Sequence, residues 1–102
     1  MLLTYYGQSC FSVEVNGAHV LFDPFISPNP LAKHIDIKTI KADYILVSHG
    51  HSDHIADCVA IAKRTKAQVI CAVEVGDWLK KQGVKKVHSM NIGGKWDRKS
   101  VV

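Results

Sequence analysis

Features of secreted and membrane proteins are scarce in this sequence. It has three cysteines, Cys10, Cys58 and Cys71, an odd number of widely spaced residues among apolar neighbours. Such a set argues against a disulfide framework and predicts reduced core residues in a reducing compartment. No stretch of about 18 apolar residues exists, which excludes a membrane-spanning helix, and the N-terminus lacks the basic start of a secretory signal. We therefore expect a cytoplasmic protein without a membrane partner.

Clustered basic residues and aromatic platforms are absent as well. The 13 Lys and Arg residues exceed the nine Asp and Glu residues and give a net charge of +4, but they are scattered along the chain. Scattered charge is typical of a solvated surface and argues against a nucleic-acid partner. The 102 residues, of which 47% are hydrophobic, allow one globular domain at most.

The first part of the chain predicts antiparallel strands. A strand begins within residues 3–6, and residues 10–15 alternate between apolar and polar side chains. Asn16-Gly17 tolerates the positive φ angles of a type I′ turn, which predicts a β-hairpin with residues 18–22. This strand ends at Asp23-Pro24 because proline cannot extend a ladder.

The remainder predicts alternating strands and helices. The proline-containing residues 24–34 favour a restricted loop, and Asp36 is expected to cap a short helical turn through Ile40. The apolar run 44–48 is too short for a helix and is typical of a strand buried on both faces. The other predicted elements are a helix over 53–65 with a stripe of Ile55, Cys58, Val59 and Ala62, a strand over 68–71, a helix over 74–82 with Val75, Trp78 and Leu79 on one side, and extended chain over 84–90. Together they predict an α/β fold, a β-hairpin followed by βαβαβ, with helices packed on one face of the sheet.

Chemistry-bearing side chains are concentrated directly after the predicted strand 44–48. His49, His51 and His54 are three of the six histidines, and Asp53 adds a carboxylate. Imidazole and carboxylate are ligands that zinc and similar divalent cations prefer. The carboxyl end of a strand in an open α/β sheet is also where ligands bind. A solvated, histidine-rich loop is the alternative, but four ligand-type side chains in six residues favour a metal site.

The segment His49-Gly50-His51-Ser52-Asp53-His54 resembles the His-x-His-x-Asp-His signature of the metallo-β-lactamase superfamily. Residues 6–11, 22–25, 41–44 and 92–94 are similar to one branch of it, the cytoplasmic metal-dependent hydrolases related to L-ascorbate-6-phosphate lactonases and to phospholipase-D-type enzymes of this fold. The resemblance covers residues 1 to about 97. It implies the N-terminal half of a metallo-β-lactamase-type αββα sandwich.

The resemblance also implies roles for individual residues. His49 and His51 would bind a first metal ion, and Asp53 and His54 a second. Asp53 would also orient the nucleophilic water as a catalytic residue. Asp23 would orient a ligating histidine from behind, although an Asp-Pro pair is common in turns without any such role. The implied cofactor is one or two Zn²⁺ ions, with Mn²⁺ as a possible replacement.

The later ligands of the family are not matched in this sequence. His88 is the only histidine after the signature, and it precedes residues 92–94, whereas the family's next ligand follows that segment. We therefore assign no ligand role to His88. The final residues 96–102 indicate no element that closes a sheet, and we expect 1–102 to be a single, incomplete domain.

Three functional hypotheses follow. The first is a hydrolase in which metal-activated water attacks a lactone, ester, amide or phosphodiester in a small-molecule substrate. The second is a metal-binding half-domain without catalytic competence, because catalytic zinc sites normally use three protein ligands. The third is a nuclease of the same superfamily. An incomplete sheet would also expose strand edges and apolar surface, which predicts a homo-oligomer or a missing C-terminal half.

Overall fold

A computed structural model describes residues 1–90 and contains a six-stranded mixed sheet. The strands lie side by side in chain order, so each strand pairs with the next one along the sequence. They are β1 (Leu2–Gly7), β2 (Cys10–Val15), β3 (Ala18–Phe22), β4 (Tyr44–Leu46), β5 (Gln68–Ala72) and β6 (Val87–Met90). The predicted α/β class is confirmed.

The three N-terminal strands form the antiparallel part of the sheet. β2 and β3 make the predicted hairpin, in which Val13 lies opposite Val20. The turn between them has φ angles of 51° at Asn16 and 81° at Gly17. Both values lie in the left-handed region that a type I′ turn requires, which explains why Asn-Gly stands there.

The other strand pairs, β3 with β4, β4 with β5 and β5 with β6, are parallel. The carboxyl ends of β3 and β4 therefore meet at one edge of the sheet. Asp23 follows β3 and Ser48 follows β4 at this edge. The topology thus brings together two segments that are 25 residues apart in sequence.

Helices connect the parallel strands. They are α1 (Ser52–Ile55), α2 (Cys58–Thr65) and α3 (Val73–Lys81), and two short 3-10 turns, Pro30–Ala32 and Ile37–Thr39, lie between β3 and β4. The side chain of Asp36 accepts a hydrogen bond from the N–H of Lys38 at the start of the second turn, as predicted. Asn29 caps the first turn in the same way, by accepting from the N–H of Leu31.

The single helix predicted over 53–65 is wrong, since α1 and α2 are separated at Asp57. The backbone of Asp57 leaves the helical region, with φ −104° and ψ 4°. Its buried carboxylate accepts hydrogen bonds from the N–H groups of Ile26 (2.6 Å) and Ser27 (2.8 Å) and from Ser27 Oγ (2.5 Å). Its own N–H donates to the carbonyl of Pro24 at 2.9 Å. The helix breaks because Asp57 ties down the loop after β3.

The core lies between one face of the sheet and the helices. Leu21, Ile45 and Val69 point into it from three adjacent strands and are fully buried, and Ile61 of α2 and Leu79 of α3 close it from the other side. All three cysteines are buried and free, which confirms that they are core residues. Trp78 departs from the predicted core stripe of α3: it is 41% exposed, whereas Val75 and Leu79 are buried.

The opposite face of the sheet is only half covered in the described part of the chain. Phe22, Leu46 and Ile70 lie side by side on it and are half-buried. The rings of Phe11 and Phe22 stack there, with centroids 4.5 Å apart. The prediction that strand 44–48 is buried on both faces is therefore wrong, because the described helices cover one face only.

None of the helices within residues 1–90 combines the length and the apolar character that crossing a membrane requires.

Candidate metal centre

The histidine-rich loop leaves the carboxyl end of β4 and enters α1, and it folds back so that three of its side chains converge. His49, Asp53 and His54 each offer a ligand atom, and these atoms all lie within 4.8 Å of one another. The ring centroids of His49 and His54 are 3.9 Å apart. Asp53 and His54 are placed by the first turn of α1, whereas His49 lies in the extended segment before it.

His51 lies beside this group without belonging to it. Its ring meets that of His49 edge-on, with centroids 4.6 Å apart and an angle of 86° between the planes. The structure thus places His49 with Asp53 and His54. This grouping differs from the two pairs that the family resemblance implies, in which His49 accompanies His51.

Asp23 lies behind the group in a buried position. It is 7% exposed, and its φ angle of 45° turns the chain sharply at the end of β3. Its Oδ2 lies 2.9 Å from Nδ1 of His54. Since a carboxylate only accepts hydrogen bonds, Nδ1 of His54 is the donor. This is the contact expected of a carboxylate that orients a ligating histidine.

Ser48 is the residue of the site that the sequence analysis missed. Its N–H donates to Asp23 Oδ1 at 2.6 Å, and its Oγ donates to Asp23 Oδ2 at 2.7 Å. Its Oγ also lies 2.9 Å from Nδ1 of His49. A hydroxyl residue directly between a strand and the first histidine was the available signal, but its partner Asp23 becomes visible only in the fold.

The donor set fits a divalent cation such as Zn²⁺. Neutral imidazole nitrogens and a carboxylate oxygen are ordinary zinc ligands. Nε2 of His54, the nitrogen not used by Asp23, lies 3.6 Å from Oδ1 of Asp53. The side chain of Asp53 is 49% exposed and that of His54 is 14% exposed, so the group is open to solvent on one side.

The remaining histidines lie away from this group. His19 faces Glu14 across the hairpin at 3.7 Å, and His34 is exposed in the loop after β3. His88 lies in β6, opposite Ile70. Two predictions lie outside the described residues. They concern the family resemblance of residues 92–94 and the chain end at 96–102.

A cavity of about 520 Å³ adjoins the loop on the side of α3. Gly50, Ile55, Val75 and Trp78 line it with mostly apolar surface, and Glu74 adds a carboxylate. Trp78, which is exposed and does not enter the core, forms part of the wall of this cavity.

Comparison with known proteins identifies the family. The family model described as "Beta-lactamase superfamily domain" matches residues 2–101. The chain belongs to the β-lactamase superfamily. A relative from Methylacidiphilum infernorum, named "UPF0173 metal-dependent hydrolase", is 51% identical over 94 residues, which are 92% of this chain and 42% of the relative. A protein of the same name from Flavobacterium johnsoniae is 46% identical over 96 residues, 94% of this chain and 42% of its own length.

A solved structure shows the same superfamily architecture. The structure of Igni18, described as a novel metallo hydrolase from the hyperthermophilic archaeon Ignicoccus hospitalis, matches with a TM-score of 0.82 and 36% identity. The match covers 97% of this chain and 43% of Igni18. The N-terminal half of a metallo-β-lactamase-type fold, as the resemblance implied, is thereby confirmed. This chain spans about two-fifths of the length of these superfamily relatives.

Proposed function

We propose that this chain carries the metal-binding half of a metal-dependent hydrolase, with His49, His51, Asp53 and His54 as its metal ligands. The observation that carries the proposal is the convergence of His49, Asp53 and His54 within 4.8 Å at the edge of the sheet, backed by buried Asp23. Two superfamily relatives are named metal-dependent hydrolases, and these names support the same activity.

Each residue has a separate part in this proposal. His49, His51 and His54 bind through ring nitrogens, and Asp53 binds through its carboxylate and orients the attacking water. When bound, a cation of this kind supplies Lewis acidity, which makes water a nucleophile near neutral pH. Zn²⁺, as one or two ions, fits this donor set, and Mn²⁺ is the second choice. Asp23 holds the ring of His54 in place through Nδ1.

The proposed substrate is a small molecule with a lactone, ester, amide or phosphodiester bond. The cavity of about 520 Å³ beside the loop has a volume typical of small-molecule sites. Its mostly apolar wall, with Trp78 on one side, suits an apolar or aromatic part of a substrate. The buried, free cysteines support the cytoplasm as the proposed location.

Metal binding and hydrolysis test the proposal together. Metal content after dialysis against Zn²⁺ or Mn²⁺ is compared for the unchanged chain, His49→Ala, His51→Ala and the control His34→Ala, which is exposed in another loop. We expect His49→Ala and His51→Ala to lose more than about tenfold in affinity, because even outer residues of metal sites contribute that much. Equal metal content in all four proteins contradicts the assignment.

A metal-binding unit without turnover is the second candidate. It is favoured by the fact that the four proposed ligands come from one short segment, residues 49–54. A panel of lactones, esters, amides and phosphodiesters separates the candidates. Metal binding with hydrolysis above that of His51→Ala supports the hydrolase, whereas metal binding without hydrolysis supports the second candidate for this 102-residue chain.

A further inference from the structure

Two histidines of the metal centre depend on the same buried carboxylate, although only one of them contacts it. Nδ1 of His54 lies 2.9 Å from Oδ2 of Asp23. His49 reaches the same oxygen through Ser48, whose Oγ lies 2.7 Å from Asp23 Oδ2 and 2.9 Å from Nδ1 of His49. The three side chains therefore form a chain from the carboxylate to the ring of His49.

The number of available hydrogens determines which group donates in each of these hydrogen bonds. A serine hydroxyl has one hydrogen, and an ionised carboxylate accepts only. If Ser48 gave its hydrogen to His49, its oxygen would face Asp23 Oδ2 at 2.7 Å with no hydrogen between two acceptors. The hydroxyl must therefore donate to Asp23, and its lone pair then accepts from Nδ1 of His49.

The consequence concerns the ligand atoms. With the hydrogen on Nδ1, the lone pair of each ring lies on Nε2, the nitrogen that is left for a cation. Neutral histidine in water favours the opposite arrangement, with the hydrogen on Nε2. A ring without a partner at Nδ1 must therefore change its tautomer or its orientation before Nε2 can bind, which lowers affinity.

We propose that Ser48 is a positioning residue that links Asp23 to His49 through a relay of two hydrogen bonds. Because Ser48 must donate to Asp23, it must accept from His49, so that one buried carboxylate sets the tautomers of two metal ligands. The relay is a property of this chain's own residues, and its functional meaning rests on the proposed metal site. The backbone N–H of Ser48 also donates to Asp23 Oδ1, at 2.6 Å. Removal of the hydroxyl therefore leaves the loop attached to Asp23.

The experiment measures the tautomer directly. Two-bond ¹H–¹⁵N correlation spectra of the histidine rings are recorded at pH 8 on metal-free protein with Ser48, Ser48→Ala or Ser48→Thr. We expect the hydrogen of His49 on Nδ1 in the unchanged chain and in Ser48→Thr, and a shift to Nε2 in Ser48→Ala. His54 should keep its hydrogen on Nδ1 in all three, because its contact with Asp23 is direct. Ser52→Ala, which removes the hydroxyl of an exposed serine at the start of α1, is the matched control and should leave both rings unchanged.

A second readout connects the tautomer to the metal. Competition with a chromogenic chelator should show Zn²⁺ affinity reduced by about tenfold or more in Ser48→Ala and restored in Ser48→Thr. The relay is overturned if His49 carries its hydrogen on Nε2 in the unchanged chain, or if Ser48→Ala leaves the His49 tautomer as it was. Absence of Zn²⁺ binding in the unchanged chain would defeat the proposed function instead, since the tautomer is read without metal. An unchanged His54 signal shows that Ser48→Ala is folded.

Discussion

At the scale of single residues, two buried aspartates organise the edge of the sheet that carries the candidate site. Asp23 accepts hydrogen bonds from the segment after β4, and Asp57 accepts them from the loop after β3. They are 7% and 4% exposed, respectively. Buried carboxylates are stable only when their oxygens are hydrogen-bonded. Both residues meet that condition, and they thereby hold the loops on either side of the histidines.

Replacement of Asp57 by alanine should destabilise the fold. The N–H groups of Ile26 and Ser27 and the hydroxyl of Ser27 would lose their acceptor, and Ile26 is fully buried. We expect the free energy of unfolding to fall by about 2–4 kcal/mol. Urea unfolding followed by circular dichroism measures the change. Asp77→Ala, which removes an exposed carboxylate from α3, is the control and should change stability by less than about 0.5 kcal/mol. An equal loss in both variants would contradict the anchoring role of Asp57.

Because of its buried cysteines, the folded protein should lose stability at alkaline pH. Burial raises the pKa of the Cys58 thiol from 9.0 to about 12 and that of Cys10 from 9.0 to about 11. Above pH 9 the unfolded chain loses these protons while the folded chain keeps them, so higher pH favours unfolding. The stability that the neutral thiols confer is thus fully present below pH 9 and is lost as the pH rises towards 12.

Unfolding in urea at pH values from 8 to 11 tests this dependence. Each thiol contributes at most about 1.4 kcal/mol per pH unit to the fall in stability. Cys58→Ala is the matched variant, and its stability should decline less steeply above pH 9 because one titrating group is gone. A decline of the same slope in both proteins would assign the alkaline loss to other groups.

At the scale of elements, the close approach of α3 to β6 depends on a glycine. A Cβ atom at Gly76 would lie 2.4 Å from Oγ of Ser89 and 3.1 Å from Cγ1 of Val87, both of them in β6. A contact under 3 Å between Cβ and a side chain of a strand requires displacement. The helix therefore lies so close to the strand that a side chain at position 76 would displace its neighbours, which explains a glycine here even though glycine is a poor helix former.

Gly76→Ala should accordingly destabilise the protein, although alanine favours helix formation. We expect a loss of about 1–3 kcal/mol, as for other insertions into a packed interface. The double variant Gly76→Ala with Ser89→Ala should recover part of the loss, because the closest clashing atom is removed. Thermal and urea unfolding of both variants and of Ser89→Ala alone complete a double-mutant cycle. Simple additivity in that cycle would show that Ser89 does not set the distance between α3 and β6.

At the scale of the whole molecule, the two faces of the described sheet differ in how much of their apolar surface is buried. One face is covered by α2, α3 and the segment between β3 and β4, and the other presents half-buried apolar side chains from β2, β3, β4 and β5. Leu46 and Ile70 are adjacent on this second face and extend the stacked pair of Phe11 and Phe22. Apolar surface of this extent favours association in water.

The 102-residue chain should therefore self-associate as its concentration rises. Light scattering during size-exclusion chromatography measures the mass, and the fluorescence of a hydrophobic dye reports the exposed apolar surface. Ile70→Thr should reduce both signals, because it places a hydroxyl among the apolar side chains of this face. A thermal melt shows whether the variant is folded. A monodisperse monomer that binds no dye would contradict the prediction.

The sequence alone determined those features that depend on neighbouring residues. Asn16-Gly17 specified the hairpin through its backbone angles, and the short apolar runs specified β4 and β5, because both signals act over a few positions. The cluster of ligand-type side chains at 49–54 was visible for the same reason, although its role as a metal site stays a prediction.

Only the tertiary structure decided what depends on contacts between distant residues. Asp57 lies inside the single helix that the sequence predicts over 53–65, yet its carboxylate binds a loop 31 positions away and divides that helix. Ser48 had no predicted role, since its partner Asp23 lies 25 positions earlier in the chain. Local patterns set backbone preferences, but the hydrogen-bond partners of buried polar groups are chosen when the strands align.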